Sequence, residues 1–290
     1  MKVLSFTGGS TRGVGLSAIG LGIMETYEPD VIIGESVSAI FAIPLAMKKK
    51  QMIKTAMLNF TQKDVFGKFA PLNKKHSAPS FRGFFRAISG KESLGKQDAL
   101  VDYIKKFLTK ELFDEYVNGN YADVLVACVN YNTGLLEYFD LNQYEYEKAL
   151  QIILASCNIP VLINGVKIGG CYYYDGGVIS AQSGKQYLKD NAESITEFRS
   201  LWARAAADKF KVKLSTDYKP TNILKPITRS VKLMIASESL ESEYLEDLLC
   251  KVNRIEHRKY FFETELDSLY DNDDDKYLDW NNGLKIGRKI

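Results

Sequence analysis

The first fifty residues alternate short apolar runs with helical patterns, and this alternation constrains the fold more than any other feature of the chain. Residues 2–7 and 31–34 have the composition of short strands, and the second of them is fully apolar up to its glycine. Apolar residues recur at helical spacing over 13–27 and again over 37–50. Strands that alternate with helices form a parallel sheet covered by helices. The sequence therefore predicts an α/β fold that begins β-α-β-α.

The rest of the chain adds further strands and helices to this beginning. Patterns typical of strands lie at 123–131, 135–141, 171–178 and 210–215, and helices are predicted at 97–116, 145–157, near 185–208 and at 237–256. No linker rich in Pro, Ser or Gly divides the 290 residues. We therefore predict one domain over 1–290, with an insertion at about 48–96 and a polar region at about 185–290.

The sequence gives no sign of export or of a membrane span. The apolar start is too short for a signal peptide, and the longest apolar run, 39–47, is about half of a membrane span. The four cysteines have no CxxC spacing, which makes disulfides or a zinc site unexpected. These features predict a cytoplasmic protein, with peripheral membrane contact as the further option.

Charge is concentrated in the insertion. The whole chain carries a net charge of +2, but Lys48 to Lys96 holds twelve Lys or Arg against two acids, so this stretch carries +10 and the rest −8. Its cations are interleaved with phenylalanines, among them Phe66, Phe69, Phe81, Phe84 and Phe85. One interpretation is a solvated insertion packed partly on the core. The other is a surface for anionic membrane headgroups. Nucleic acid is not expected, because no binding motif accompanies the charge.

The glycine loop between the first strand and the first helix, 8-GGSTRG-13, suits an anion. A dinucleotide pyrophosphate is one candidate, because the loop is similar to the TGxxxGxG of short-chain dehydrogenases and Tyr144 with Lys148 supplies a Tyr-x-x-x-Lys pair. The loop is one residue too long for that role, which would redirect the N–H groups that follow. An oxyanion site is therefore the favoured interpretation of the loop, and an NAD(P) oxidoreductase is kept as the alternative.

A candidate nucleophile lies in 34-GESVS-38, where a buried strand turns into a helix. Such a turn exposes a serine hydroxyl at the edge of a sheet. The α/β-hydrolase fold is disfavoured, because Ser36 follows only the second strand. The two histidines, His76 in the insertion and His257 in a predicted helix, are not expected to be catalytic. The sequence thus indicates a serine nucleophile without a histidine base.

Three motifs follow one another along the chain: 8-GGSTRG-13, 34-GESVS-38 and 175-DGG-177. In this order they resemble the patatin-like phospholipases, whose pattern is G-G-G-x-[R/K]-G, then G-x-S-x-G, then D-G-[A/G]. The stretch 154-LASCNIPVLINGVKIGGCYYYDGGV-178 also resembles that family's A-S-x-x-x-P segment, which leads through a hairpin into D-G-G. The resemblance is good over 1–50 and 145–180 and nearly absent over about the last hundred residues.

The resemblance implies a three-layer fold with a mainly parallel central sheet, covering helices and helical insertions. It also implies a serine hydrolase that cleaves lipid esters through a Ser–Asp dyad, with Ser36 as nucleophile and Asp175 as base. The oxyanion hole would be formed by the N–H groups of Gly8, Gly9 and Ser10. Arg12 would anchor the loop or contact a lipid phosphate. No cofactor and no metal are implied.

Three departures from the family pattern affect these expectations. Ser10 and Ser38 replace glycines, and the Asn and Pro that usually follow D-G-G are missing. An inactive patatin-like scaffold that acts as a binding module is therefore a second alternative. The string 271-DNDDDKYLDWNN-282 begins like a calcium loop but lacks its Gly and Glu, so we predict an acidic surface segment.

Overall fold

The computed structural model describes residues 1–9, 12–68, 71, 80–203, 224–262 and 273–288. Its strands are β1 (Lys2–Phe6), β2 (Val31–Gly34), β3 (Asp123–Asn130), β4 (Leu135–Asp140), β5 (Val166–Ile168), β6 (Cys171–Asp175), β7 (Glu197–Trp202) and β8 (Glu256–Phe261). Its helices are α1 (Gly13–Ile23), α2 (Val37–Ala46), α3 (Lys50–Leu58), α4 (Gln62–Phe66), α5 (Phe81–Ile88), α6 (Asp98–Lys105), α7 (Lys110–Asn118), α8 (Tyr146–Ser156), α9 (Gly184–Asn191), α10 (Leu224–Asn253) and α11 (Asp273–Gly287).

The strands form one mixed sheet in the order β5-β6-β3-β2-β1-β7-β8, and β4 pairs with β3 beside this path. The five strands from β3 to β8 in this order are parallel, whereas β4 and β6 run antiparallel to β3. The larger apolar cluster contains α1, α2 and α8, and a second cluster packs α9 and α10 on other residues of β1, β2 and β7. The predicted α/β class, with a mostly parallel sheet and covering helices, is confirmed.

Helix α1 is buried at every position because α11 covers it on the side away from the sheet. The two helices are in close contact: a Cβ added at Gly22 would lie 2.9 Å from the carbonyl carbon of Gly287. The segment predicted to be an acidic surface segment is amphipathic over 276–282: one side is buried, and the other exposes Tyr277 and Leu278. Trp280 is fully buried, and the Lys276 ammonium donates to the carbonyl oxygens of Leu58 and Phe60 at 3.3 and 3.1 Å.

Several predicted helices end earlier than the sequence pattern indicates. The helix predicted over 97–116 is two helices, α6 and α7, because the Thr109 side chain caps a new start by accepting from the Leu112 N–H at 3.3 Å. The helix predicted over 37–50 ends at Ala46 and is followed by α3. The helix predicted near 185–208 ends at Asn191, and the chain then forms β7.

The C-terminal strands were not predicted from the sequence. β7 is parallel to β1, and β8 extends the sheet beyond β7, so His257 lies in a strand and not in the predicted helix. The predicted strand 210–215 lies outside the described residues. The prediction that 1–290 is a single domain stays a prediction.

Strand pairing brings two distant motifs together. Gly34, the last residue of β2, is paired with Val126, and Asp175, the last residue of β6, is paired with Cys128. Because β4 occupies the other edge of β3 along this stretch, β2 and β6 share one edge and meet end to end. The chain that leaves β2 therefore passes next to Asp175. The loop after β1 lies on the opposite side of this chain segment, because β1 pairs with the other edge of β2.

Candidate active site

Ser36 lies at a sharp turn between β2 and α2. Its φ of 56° and ψ of −128° are rare for a residue with a Cβ, a strain of about 1–3 kcal/mol. The end of α8 holds this backbone in place: the Ser36 N–H donates to the Ser156 hydroxyl at 2.9 Å, and the Cys157 thiol donates to the Ser36 carbonyl at 3.2 Å. The turn thus has the strained conformation of a nucleophile elbow, with the side chain half-buried.

Ser38, which replaces the last glycine of the elbow motif, has a helical backbone inside α2. Its hydroxyl accepts from the Glu35 N–H at 2.7 Å and donates to the Glu35 carbonyl at 2.6 Å. A side chain at this position therefore needs no glycine conformation. It closes the turn with two hydrogen bonds.

Asp175 is buried beside this turn, with 6% of its surface exposed. Its carboxylate accepts a hydrogen bond from the Gly177 N–H at 2.9 Å, and the Ser36 side chain lies near enough to influence its pKa. Burial raises the pKa of Asp175 to about 6, against the opposing effects of Ser36 and Gly177. A carboxylate with this pKa is a better proton acceptor than a solvated aspartate and is still ionised at neutral pH.

The glycine loop approaches Ser36 closely. A Cβ added at Gly8 would lie 2.9 Å from Ser36 Cβ and 3.6 Å from Ser36 Oγ, and one at Gly9 would lie 2.7 Å from Ala203 Cβ. Only glycine permits this approach of the backbone. The Arg12 guanidinium anchors the loop by donating to the Ala203 carbonyl at 2.7 Å. Ser10, the third predicted oxyanion donor, lies outside the described residues.

The two described donors of this loop differ in their surroundings. The Gly8 N–H donates to Oε1 of Glu35 at 3.2 Å. Within the ranges that the structure describes, the Gly9 N–H has no acceptor. Of the two predicted oxyanion donors that the structure describes, Gly9 is therefore the one with an available N–H.

Sequence reasoning missed three residues that shape this site: Glu35, Ser156 and Ser183. The signals were present in part. Ser156 belongs to the A-S-x-x-x-P segment, and Glu35 is an acid between a fully apolar strand and an apolar helix, where a charge is unexpected. Ser183, which donates to the Glu35 carboxyl, follows the D-G-G by a few residues and has no motif of its own.

The histidines do not join this arrangement among the described residues. His76 lies outside those residues. His257 is in β8, and β7 and β1 separate that strand from β2. In the described part of the chain no group of three or more His, Cys, Asp or Glu could hold a metal ion. No helix in the same ranges is long and apolar enough to cross a bilayer.

These features define a mixed α/β protein with a serine elbow, a buried aspartate and a glycine loop converging at one edge of the sheet. The patatin-like phospholipase family model matches residues 4–181, more than half of the chain and a range that contains all three motifs. The chain belongs to this family. The membership supports lipid hydrolase activity in general.

Among solved structures, the crystal structure of VipD from Legionella pneumophila is similar to this chain. The two share 12% sequence identity with a TM-score of 0.46, over 98% of this chain and 66% of the VipD chain. This chain thus spans less than two thirds of the length of that protein. Comparison with curated protein sequences gives no match.

Proposed function

We propose that this protein is a lipid acyl hydrolase of the phospholipase A type, which cleaves carboxylic esters with Ser36 as nucleophile and Asp175 as base. The observation that carries the proposal is the position of the half-buried Ser36 side chain, on its strained elbow, beside the buried Asp175 carboxylate. A serine that is both partly exposed and paired with a base is the arrangement that nucleophilic catalysis needs.

The reaction follows from these contacts. Asp175 takes the hydroxyl proton while Ser36 Oγ attacks the ester carbonyl, and the negative charge moves to the carbonyl oxygen. Collapse of this intermediate breaks the ester bond, leaves the acyl group on Ser36, and transfers the proton from Asp175 to the leaving alcohol. Water then attacks the acyl-serine with Asp175 again as base, which releases the fatty acid and restores the serine.

The glycine loop would stabilise the oxyanion in both steps. Its N–H groups at Gly8, Gly9 and Ser10 are the proposed donors, and each such donor contributes roughly 3–4 kcal/mol in other hydrolases. Because the Gly8 N–H already donates to Glu35, Gly9 and Ser10 carry this role in the proposal. Arg12 serves it indirectly by holding the loop to the end of β7.

The insertion between Lys48 and Lys96 would bring the site to anionic membrane. Helix α5 exposes four large apolar side chains, with exposed fractions of 49–80%: Phe81, Phe84, Phe85 and Ile88. Four such neighbours on one short helix form an apolar patch of the kind that marks interaction sites. With Lys91 exposed beside them, they suit an anionic lipid interface.

This apolar patch is connected to the active site. The chain after α5 is bonded to the loop that follows α8: the Leu94 N–H donates to the Val161 carbonyl at 2.9 Å and the Gly95 N–H to Leu162 at 2.8 Å. That loop also holds the base, since the Asp175 N–H donates to the Asn158 carbonyl at 3.0 Å. A membrane bound at α5 would therefore lie next to the site.

The decisive experiment is labelling with a fluorophosphonate, which phosphonylates an activated serine and releases fluoride. We expect the parent protein to be labelled and Ser36→Ala to lose the label and the esterase activity. Ser200→Ala is the matched control, because Ser200 also contacts an acid–base group, His257, at 3.2 Å but is fully buried. It should label like the parent.

Two results would count against the proposal. An unlabelled parent that also fails to cleave ester substrates would favour the scaffold alternative. Loss of label in Ser200→Ala but not in Ser36→Ala would move the nucleophile to the other end of the sheet.

A further inference from the structure

We propose that Glu35 is a positioning residue of this hydrolytic site, whose buried carboxyl holds the glycine loop and the segment after Asp175 in place around Ser36. The inference rests on the proposed function. It concerns the residue that directly precedes the nucleophile, at the variable position of the elbow motif.

The Glu35 carboxyl contacts the glycine loop, the D-G-G turn and the segment that follows this turn. It is 1% exposed. Oε1 accepts the Gly8 N–H at 3.2 Å, and Oε2 is hydrogen-bonded to the Ser183 hydroxyl. A Cβ added at Gly177 would lie 2.9 Å from Oε1, so the turn after Asp175 packs directly on the carboxyl. One side chain thus joins the glycine loop, the elbow and the D-G-G segment.

The described groups donate to both oxygens of Glu35: the Gly8 N–H to Oε1 and the Ser183 hydroxyl to Oε2. A hydroxyl can also accept a hydrogen bond, so the Ser183 contact is compatible with a proton on Oε2. Burial and the nearby Asp175 charge raise the pKa of Glu35 well above its usual range. Two buried carboxyls this close cannot both ionise at low cost, so the charge lies on Asp175 and the proton on Glu35.

Other titratable groups face Glu35 from the remaining elements. Glu238 of α10 adds negative charge, which also favours the neutral acid, although Lys185 pairs with it at 2.7 Å. Cys128 of β3 and Tyr138 of β4 also face it, and burial raises the pKa of both, so they are neutral at pH 7.

The consequence for catalysis is geometric. By accepting from Gly8, Glu35 holds the loop at the distance from Ser36 at which the next N–H, that of Gly9, can face the oxyanion. Release of this contact lets the loop move away from the elbow, and a displacement of about 1 Å can cost roughly 100-fold in rate. Ionisation of Glu35 at high pH would place a second negative charge beside the oxyanion.

The test compares Glu35→Gln and Glu35→Ala with the parent, using kcat and KM for a soluble ester between pH 5 and 9. Glutamine keeps both contacts, since its carbonyl accepts from Gly8 and its amide donates to Ser183. We expect Glu35→Gln to retain kcat within about threefold at pH 7 and to lose the alkaline limb of the parent's profile. Glu35→Ala should lose about 10- to 100-fold in kcat with a smaller change in KM.

Glu246→Gln is the matched control, because Glu246 is also fully buried and burial also raises its pKa, but it faces His257 at the other end of the sheet. Both limbs of its profile should equal those of the parent. The proposal is overturned by a Glu35→Gln variant that keeps the alkaline limb, or by one as impaired as Glu35→Ala. If Glu35→Ala does not fold, the Glu35→Gln profile decides alone. A parent without activity or label would instead overturn the proposed function itself.

Discussion

Two serines of this protein lie beside acid–base groups, and they differ in the exposure and the free backbone donors that a catalytic site requires. Ser200, in β7, contacts Nε2 of His257 at 3.2 Å, and Nδ1 of that ring contacts Asp247 at 3.1 Å. By connectivity this is a Ser–His–Asp triad. Ser36 has only an aspartate, yet it is the one that lies at a strained turn with part of its surface open.

The surroundings decide between the two. Ser200 is 0% exposed, and its hydroxyl accepts the Trp202 indole N–H at 3.0 Å. It lies within a strand paired on both sides, where backbone N–H groups serve the sheet and cannot bind an oxyanion. We interpret the Ser200 cluster as a buried polar network that ties α10 to the sheet. Access and free backbone donors distinguish a reaction centre from such a network.

The largest expected effect separates the two clusters by activity. Asp175→Asn should lower kcat about 10⁴-fold or more, because an amide cannot take the serine proton and the two groups act as one unit. His257→Ala should keep kcat within a few-fold, as should His76→Ala. The measurement is kcat on a soluble ester with folded, purified variants. A loss in either histidine variant as severe as that in Asp175→Asn would replace the dyad with a triad.

The same Asp175→Asn substitution that lowers activity should raise the stability of the protein at alkaline pH. The folded-state pKa of Asp175 is raised, so its protonated form stabilises the fold below about pH 4, and this stabilisation is lost as pH rises through about 6. Asp175→Asn removes the cost of the buried charge and should raise the free energy of unfolding at pH 8 by roughly 1–3 kcal/mol. At pH 4 the difference should vanish.

Urea unfolding at the two pH values measures this shift. His257→Ala supplies the contrast, because the loss of a ring that touches Ser200 and Asp247 should lower stability at pH 8. An Asp175→Asn variant that is less stable than the parent at pH 8 would show that the carboxylate is a structural contact and not a strained catalytic group.

The smallest effects concern the surface of the insertion and leave both clusters intact. Phe81→Ser with Phe84→Ser should weaken binding to vesicles that contain anionic lipid by about tenfold or more, since a fully buried Phe contributes roughly 1.5–3 kcal/mol. Replacing Lys48, Lys49 and Lys50 by Gln should do less. Lys48 already pairs with Glu28 at 3.1 Å, and Lys49 with Glu115 at 2.9 Å.

Cosedimentation with vesicles at low and high salt measures this binding, and a soluble ester measures the chemistry. The soluble activity of both variants should stay near that of the parent. If the lysine variant loses more vesicle binding than the phenylalanine variant, the contact is electrostatic and α5 is not its centre.

Part of this protein could be predicted from local sequence. The β-α-β-α beginning, the strands at 123–130 and 135–140 and the strand that ends at Asp175 follow from apolar periodicity and turn residues, because each depends on neighbours within a few positions. The hairpin before Asp175 was implied only by the resemblance to the family. β7 could not be predicted in this way. Its buried Arg199 and Ser200 interrupt the apolar pattern, and they are tolerated because Arg199 pairs with Glu197 at 2.7 Å and lies 3.9 Å from the centre of the Tyr27 ring.

The sequence by itself determined the chemical groups of the candidate site and their order along the chain: a glycine loop, a serine at a strand-to-helix turn, and an aspartate after a later strand. Tertiary structure decided how they meet. β2 and β6 share one edge of β3, which brings Asp175 to Ser36. Burial raises the pKa of Asp175. The fold also places Glu35, an ordinary acid in the sequence, where its carboxyl joins the glycine loop to the elbow. Burial and strand order depend on residues that are tens to more than a hundred positions apart, and no local pattern contains them.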